Sequence, residues 1–168
     1  MSDTKISALT ELAVGDVDRA NDVLPIVDIG AGSTKKIKVV SLLNISTMAN
    51  TLSGDVALNN TANYFTGPTV AQGTSGTWFA SGGVQLTDTA GAAGFDVKLW
   101  DGTTVIASSI VNIPAASADV YAHLSGFIVS PAGNIRISVK DVTSTSGAIL
   151  FNESGESKDS TITVMRTG

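Results

Sequence analysis

The strongest local pattern in the chain is the stretch GFDVKLWDGTTVIASSIV, residues 94–111. Apolar and polar side chains alternate on both sides of Asp101-Gly102, a pair that favours a two-residue type I′ turn between antiparallel strands. We expect a β-hairpin in which Leu99 pairs with Thr104, Val97 with Ile106 and Phe95 with Ser108. Alternation places apolar carbon on one face and a more polar set on the other. The first face holds Phe95, Val97, Leu99, Thr104 and Ile106, and the second holds Asp96, Lys98, Trp100 and Thr103.

Further strand patterns lie on both sides of this hairpin, between residues 77 and 168. The run NIRISVKD, residues 134–141, alternates most clearly. It predicts Ile135, Ile137 and Val139 inward, and Arg136, Ser138 and Lys140 outward. About eight short strands with turn signals between them predict an all-β fold, a jelly-roll-like β-sandwich over residues 77–168. The missing helical pattern excludes doubly wound and (β/α) barrel folds.

Composition agrees with strands and limits the partners. Hydrophobic residues make up 43% of the 168 residues and charged residues 15%, with 17 Gly. The net charge is −5 and no basic stripe is present, so we expect no nucleic-acid partner. There is no cysteine, which excludes disulfides and thiol chemistry. No apolar run approaches the roughly 18–20 residues of a membrane helix, so we expect no membrane partner.

The N-terminal third predicts an anchoring arm, residues 1–52. Residues 1–24 are expected to be extended, with a short amphipathic helix packed on the domain as the alternative. The runs Ile26–Ile29 and Lys36–Val40 flank a Gly-Ala-Gly-Ser turn and predict a hairpin. A short helix is expected from Leu42 to Leu52, capped by Ser41. Its candidate trimer seam is Ile45, Met48 and Leu52, with a capping helix on the main domain as the alternative. Residues 53–76, rich in Gly, Asn, Ser and Thr, predict a linker.

No motif for chemistry stands out, and we expect neither an enzyme nor a cofactor. His123 is the single histidine, and no G-x-S-x-G accompanies it. One histidine without cysteine makes a zinc site implausible. Gly30-Ala31-Gly32 lacks the third glycine of a dinucleotide fingerprint. Glu153, Glu156 and Asp159 would hydrolyse glycosides only if two of them faced each other across a cleft.

Three segments resemble virion proteins of tailed bacteriophages. The first is KISAL, residues 5–9, with DVLPIV, 22–27, and STKKIKV, 33–39. It looks like the N-terminal segment of capsid-bound and fibre-like proteins. The second, NYFTG, 63–67, resembles a connector of fibre stalks. The third covers residues 76–166, notably VKLWDGT, 97–103, and SKDSTI, 157–162, and is similar to C-terminal β domains that are commonly trimeric jelly rolls.

The resemblance implies a structural protein that decorates and stabilises the capsid exterior as a homotrimer. The arm would anchor it to the major capsid protein through Ile6, Leu9, Leu12, Leu24, Ile26, Val27, Lys35, Lys36 and Lys38. The alternative is a short tail or head fibre protein whose β domain binds a host-surface glycan or receptor. A third alternative, a glycan hydrolase fragment, would require the converging carboxylates described above.

Overall fold

A computed structural model describes residues 23–28, 33–38 and 46–168 of the chain. The chain divides into two compact units, Met1–Asn44 and Ile45–Gly168. In the first unit, β1 (Val23–Asp28) and β2 (Ser33–Lys38) form an antiparallel hairpin that runs from the pair Val23–Lys38 to the pair Asp28–Ser33. The predicted hairpin is therefore confirmed. The predicted arm over residues 1–22 lies outside the described residues.

Residues 46–168 form ten strands, and no helix in the described part of the chain is long and apolar enough to cross a membrane. The strands are β3 (Thr47–Thr51), β4 (Val56–Leu58), β5 (Phe65–Val70), β6 (Thr77–Asp88), β7 (Ala93–Trp100), β8 (Val105–Ile113), β9 (Asp119–Val129), β10 (Ile135–Asp141), β11 (Gly147–Leu150) and β12 (Thr161–Arg166). They build a four-stranded sheet in the order β5-β10-β7-β8 and a six-stranded sheet organised around β6.

Strand β6 is the central strand of the six-stranded sheet. One edge of β6 pairs with β9 over its length, from Thr77–Val129 to Thr87–Asp119. Its other edge pairs with β12 near its start and with β11 near its end. Beyond these, β3 pairs with β12 and β4 pairs with β11. All pairs are antiparallel, and the predicted all-β, jelly-roll-like sandwich is confirmed.

The two sheets enclose one aliphatic core. Its largest fully buried side chains come from both sheets: Phe95, Leu58, Leu86, Leu99, Ile135, Ile137, Ile149, Ile162, Val84, Val97, Val139 and Val164. The alternation predicted for residues 134–141 is confirmed, since all three apolar positions of β10 are buried. The exception on the outer side is Ser138, which is buried because the Trp100 indole covers it and donates a hydrogen bond of 2.9 Å from Nε1 to its Oγ.

The helix predicted over Leu42–Leu52 is wrong for residues 47–51, which form β3. Hydrogen bonds to β12 decide the conformation, with Met48 opposite Val164 and Thr51 opposite Thr161. Local spacing of apolar residues cannot show a partner strand more than a hundred residues further along the chain. Tertiary pairing therefore overrides a weak helical pattern here.

The linker predicted over residues 53–76 is also wrong, because the segment contributes β4 and β5 to the sandwich. Leu58 and Val70 lie in the core. Pro68 is tolerated because β5 is an edge strand, where one side of the backbone needs no donor. A Cβ on Gly67 would come 3.2 Å from the Ile137 carbonyl oxygen. Gly67 therefore allows β5 to pack closely against β10, and Pro68 is compatible with the edge of the sheet.

The turn predicted at Asp101-Gly102 is a longer loop, and the register of the β7–β8 hairpin differs. Leu99 pairs with Ala107 and Val97 with Ser109, and a bulge follows at Trp100, which pairs with Val105. The Asp101 carboxylate accepts hydrogen bonds from the backbone N–H of Thr103 and Thr104. The aspartate therefore caps a four-residue loop instead of occupying a type I′ turn. The faces predicted for β7 remain correct, with Phe95, Val97 and Leu99 buried.

Candidate functional site

The outer face of the six-stranded sheet carries an aromatic row across three strands. Phe79 of β6 pairs with Phe127 of β9 on one side and with Met165 of β12 on the other. The two phenylalanine rings touch, with centroids 4.9 Å apart. Phe127 and Val129 are 65% and 70% exposed, unusual values for apolar side chains on a regular sheet. This row is the apolar centre of a larger surface.

That surface has no Asp, Glu, Lys or Arg between the Thr77–Val129 row and the Gln85–Tyr121 row, and we call it the uncharged face. Strand alternation defines its members, because the residues between them point into the core. Its members are Thr47, Ala49, Thr51, Thr77, Phe79, Ser81, Gly83, Gln85, Tyr121, His123, Ser125, Phe127, Val129, Thr161, Thr163 and Met165. Four strands give it a width of about 15–20 Å, and its length is about 26 Å along β6 and β9 and about 13 Å along β12 and β3.

One end of the uncharged face is closed by Tyr121. Its phenol lies directly over Gly83, where a Cβ would collide with the ring. Burial and the nearby Asp159 carboxylate raise the pKa of Tyr121. Asp159 in turn accepts hydrogen bonds from the backbone N–H and the hydroxyl of Ser154, which keep its pKa below the usual value. Asp159, the charged group beside this end, therefore makes its hydrogen bonds within the neighbouring loop.

His123 lies within the uncharged face and contacts Ser81, with Nε2 3.1 Å from Oγ. A catalytic triad needs a carboxylate that orients the imidazole. The contacts of His123 in residues 46–168 consist of this serine hydroxyl, with no carboxylate hydrogen bond. The same described part of the chain contains no group of three His, Asp or Glu that could hold a metal ion. Within the described residues, His123 therefore has a hydroxyl neighbour but lacks the carboxylate that a triad requires.

The outer face of the four-stranded sheet differs completely, because it carries a cation–aromatic cluster of Tyr64, Lys98, Trp100, Arg136 and Lys140. The Lys98 ammonium lies 3.8 Å from the Tyr64 ring centroid and 3.4 Å from the Trp100 ring centroid. The Arg136 guanidinium carbon lies 5.0 Å from the Trp100 ring centroid. Lys98 therefore lies between two aromatic rings. Cation–π contacts of this kind stabilise each pair by about 0.5–2 kcal/mol.

Electrostatics within the cluster are unfavourable. Burial lowers the pKa of Lys98, and the positive charges of Arg136 and Lys140 lower it further. Lys140 is better placed, since a hydrogen bond to Asp96 raises its pKa. The Lys140 Nζ–Asp96 Oδ2 distance is 2.9 Å. The cluster therefore holds three cations, and Asp96 pairs with one of them, Lys140.

A groove of about 500 Å³ opens beside the cluster. Its lining comes from the residue before β5 and from the β7–β8 pair: Tyr64, Asp96, Val97, Ser108, Ser109 and Ile110. Lys98 contacts Tyr64 and Lys140 pairs with Asp96, so these two cations lie at the margin of the groove. The groove combines an aromatic ring, hydroxyl groups and an exposed aliphatic side chain, and its volume lies in the range of small-ligand sites.

Asp101 holds the end of the cluster in place. Besides its two loop N–H partners, its carboxylate accepts a hydrogen bond of 2.7 Å from the Ala132 N–H in the β9–β10 loop. Gly102 follows with φ of 99°, a conformation that favours glycine. A Cβ there would collide with the Arg136 guanidinium. Gly102 therefore makes the space that lets Arg136 lie against Trp100.

The sequence-predicted anchoring residues are only partly described. Ile6, Leu9 and Leu12 lie outside the described residues. Leu24, Ile26 and Val27 lie in β1, and Lys35, Lys36 and Lys38 lie in β2. In the hairpin register, Lys35 is opposite Ile26, Lys36 opposite Pro25 and Lys38 opposite Val23. Their role in anchoring stays a prediction.

The candidate trimer seam does not form on a helix at residues 47–51. Met48 lies in β3 and is 38% exposed, whereas Leu52 follows β3 and packs partly buried against the core. Ile45 lies outside the described residues. A seam with helical spacing requires a helix, so its structural basis is lost for Met48 and Leu52. Their part in contacts between chains stays a prediction.

Sequence reasoning missed both outer faces as sites. It placed Lys98, Trp100, Arg136 and Lys140 outward, and that signal could have identified the cluster. Tyr64 was assigned to a linker, so its contact with Lys98 was not foreseen. Phe79 and Phe127 each lie in a strand pattern, but only the β6–β9 register brings them together.

Comparisons with known proteins give a general likeness. No family model and no curated protein matches the chain. Among solved structures, Eiger TNF from S. frugiperda is 8% identical with a TM-score of 0.42, over 73% of this chain and 93% of that chain. PRD1 vertex protein P5 is 14% identical with a TM-score of 0.36, over 73% and 96%.

A carbohydrate-binding domain also matches. The C-terminal CBM6 of LamC from Zobellia galactanivorans is 13% identical with a TM-score of 0.32, over 87% of this chain and 90% of that chain. At identities and scores of this size, none of these matches assigns a family or a ligand to the chain.

Proposed function

We propose that this chain is a virion structural protein of a tailed bacteriophage, which decorates and stabilises the capsid exterior as a homotrimer. The uncharged face is the observation that carries the proposal. Cores of protein–protein interfaces are depleted in charge and enriched in aromatic residues and methionine. Phe79, Phe127 and Met165 form such a centre, surrounded by hydroxyl-bearing residues that suit a rim.

The occupant of the uncharged face is a second copy of the chain. In a closed three-fold ring the contact is heterologous, so the uncharged face of each protomer covers a different surface of the next protomer and every face is covered. A flat area of about 400 Å² follows from strand spacing. Accessible area over protruding side chains exceeds the flat area, and a standard interface uses about 800 Å² per partner. Contacts around a three-fold axis would join the face to a second surface of the neighbouring protomer.

The β1–β2 hairpin supports the proposed anchor. An isolated hairpin is marginally stable in water and needs a surface to lie against. Strand β1 is apolar from Val23 to Val27, and β2 contributes Lys35, Lys36 and Lys38, which suits a partly apolar, acidic surface of the major capsid protein. Three anchors joined in one trimer raise the effective concentration of each, so weak single contacts suffice for attachment.

The test is the copy number in purified virions. Quantitative gel densitometry against the major capsid protein should give a ratio between one to one and one to a few, because a decoration protein follows the icosahedral lattice. A ratio of one to tens or lower would refute decoration. A chain absent from purified particles would refute the virion assignment altogether.

A short tail or head fibre protein that binds a host-surface glycan is the second candidate. The groove between Tyr64 and Ile110 favours it, because a capsid-stabilising trimer has no need of a groove on its opposite face. A copy number in the tens would support this candidate. The N-terminal arm would then attach the trimer to a tail or vertex.

A further inference from the structure

Positive charge is concentrated on one outer face of the sandwich. Residues 51–168 contain five basic and nine acidic side chains. Three of the five basic ones, Lys98, Arg136 and Lys140, belong to the cation–aromatic cluster, although the whole chain has a net charge of −5. A positively charged surface on a chain of negative net charge attracts anions.

Two of the three cations lack a carboxylate partner within the described residues. Asp96 pairs with Lys140, and neither Lys98 nor Arg136 has a carboxylate oxygen within 4.0 Å in residues 46–168. Arg136 lies against the Trp100 ring and its Nε is buried. Lys98 is therefore the cation beside the groove that has no carboxylate partner within the described residues.

The cluster keeps its charges where they repel one another. Arg136 and Lys140 lower the pKa of Lys98 in addition to the effect of burial. Perturbed groups beside a groove occur at binding sites more often than elsewhere, because a bound ligand of opposite charge relieves the repulsion. An anion bound beside Lys98 would do so.

The groove decides what kind of anion fits. Tyr64 and Ile110 offer apolar surface, and Ser108, Ser109 and Asp96 offer hydroxyl and carboxylate groups within the same 500 Å³. A sugar ring presents an apolar face and a rim of hydroxyl groups, so it matches both parts of this lining. A carboxylate on the sugar would reach Lys98 at the margin, and a hydrogen bond between an ammonium and a carboxylate is roughly twice as strong as one between neutral groups.

We propose that the groove and the adjacent Lys98 bind an acidic saccharide, whose sugar unit lies between Tyr64 and Ile110 and whose carboxylate pairs with Lys98. The inference deepens the second candidate function and rests on it for a biological role. The site itself uses the four-stranded sheet alone, so it does not depend on association through the uncharged face.

The experiment is calorimetry on the full-length protein with trigalacturonate and sialyllactose, against methyl-esterified trigalacturonate and lactose as uncharged counterparts. At least one acid should bind, and its uncharged counterpart should bind at least tenfold more weakly. Failure of both acids to bind at millimolar concentration would overturn the proposal. Inorganic phosphate that binds as tightly as the acids would also overturn it, since the site would then be a simple anion site.

Variants locate the site. Lys98→Gln should weaken binding at least tenfold, and Lys158→Gln, which replaces an exposed cation in another loop, should leave it unchanged. Ser108→Phe places a ring in the groove from an exposed strand position, so the fold should persist while binding is lost. Full binding by Ser108→Phe would refute the groove. Sedimentation of the same samples distinguishes loss of saccharide binding from loss of association, because these variants should still form the trimer.

Discussion

Phe79 and Phe127 face each other across the β6–β9 pair, with ring centroids 4.9 Å apart and ring planes inclined at 51°. Such a pair stabilises its own chain by about 0.5–1.5 kcal/mol beyond burial. Phe127 nevertheless stays 65% exposed, so most of its surface is left for a partner. We regard the exposed part of this pair as the centre of the contact between chains.

Replacing Phe127 should therefore dissociate the protein without unfolding it. Phe127→Asp places a charge in the centre of the uncharged face, where the interface would bury it without a partner, at a cost of about 2 kcal/mol or more per contact. Ile110→Asp is the matched control, because Ile110 is 69% exposed on the opposite sheet. Light scattering should show smaller assemblies for Phe127→Asp alone. Equal masses for both variants would exclude this face as the interface.

Gly82 should be intolerant of a side chain. A Cβ there would collide with the Thr161 carbonyl oxygen and come 2.8 Å from the Ile162 Cα, so the β6–β12 pair would have to separate. We expect Gly82→Ala to lower the free energy of unfolding by about 1–3 kcal/mol in urea titrations, as overpacking does. Gly54→Ala is the control, since a Cβ there meets nothing within 4 Å. Equal stability of the two variants would contradict the close β6–β12 contact.

Acid should destabilise the sandwich in part through Asp101, which is 3% exposed. Burial raises the pKa of this carboxyl, but the backbone N–H groups of Thr104, Ala132 and Thr103 outweigh burial, and the pKa lies below its usual value. A group with a lowered pKa in the folded state stabilises the fold above the unfolded pKa. That stability is lost as the pH falls from about 4 through the folded pKa.

Urea titrations between neutral pH and pH 3 test this account of Asp101. Asp101→Asn should lower stability at neutral pH by about 1–3 kcal/mol, because one oxygen acceptor is lost beside several N–H donors. The variant should also lose less stability on acidification than the parent. An unchanged acid response in the variant would show that Asp101 does not contribute to it.

The N-terminal unit should be required for attachment and dispensable for folding of the sandwich. Deletion of residues 1–44 follows the division between the two compact units. The truncated chain should keep its β-sheet circular dichroism and cooperative unfolding, yet fail to bind particles. Attachment of the full chain should weaken with salt if Lys35, Lys36 and Lys38 meet exposed acidic groups. Decoration by the truncated chain would contradict the anchor assignment.

Alternation could be predicted where a strand lies on the core for its whole length. Ile135, Ile137 and Val139 are completely buried, so the two-residue period of apolar residues can be detected in the sequence alone. Edge strands give a weaker signal. Thr47–Thr51 is mostly exposed and has no alternation to detect, and its strand conformation depends on β12 at the other end of the chain.

Register and contacts between distant residues could not be predicted. Asp101-Gly102 suggested a two-residue turn, but the Asp101 carboxylate also reaches Ala132, and this long-range contact favours a larger loop. Tyr64 lies in a stretch whose composition resembles a linker, yet the sheet order β5-β10-β7 brings it to Lys98. The uncharged face needs three strand pairings at once, and local patterns specify none of them.

Sedimentation equilibrium of the full-length protein tests the proposed self-association most directly. The account predicts a single species with three times the mass of the 17.1 kDa chain at micromolar concentration. It also predicts that this mass is insensitive to salt, because the uncharged face contributes no ion pairs to the contact. A monomer that persists at high micromolar concentration would contradict the account.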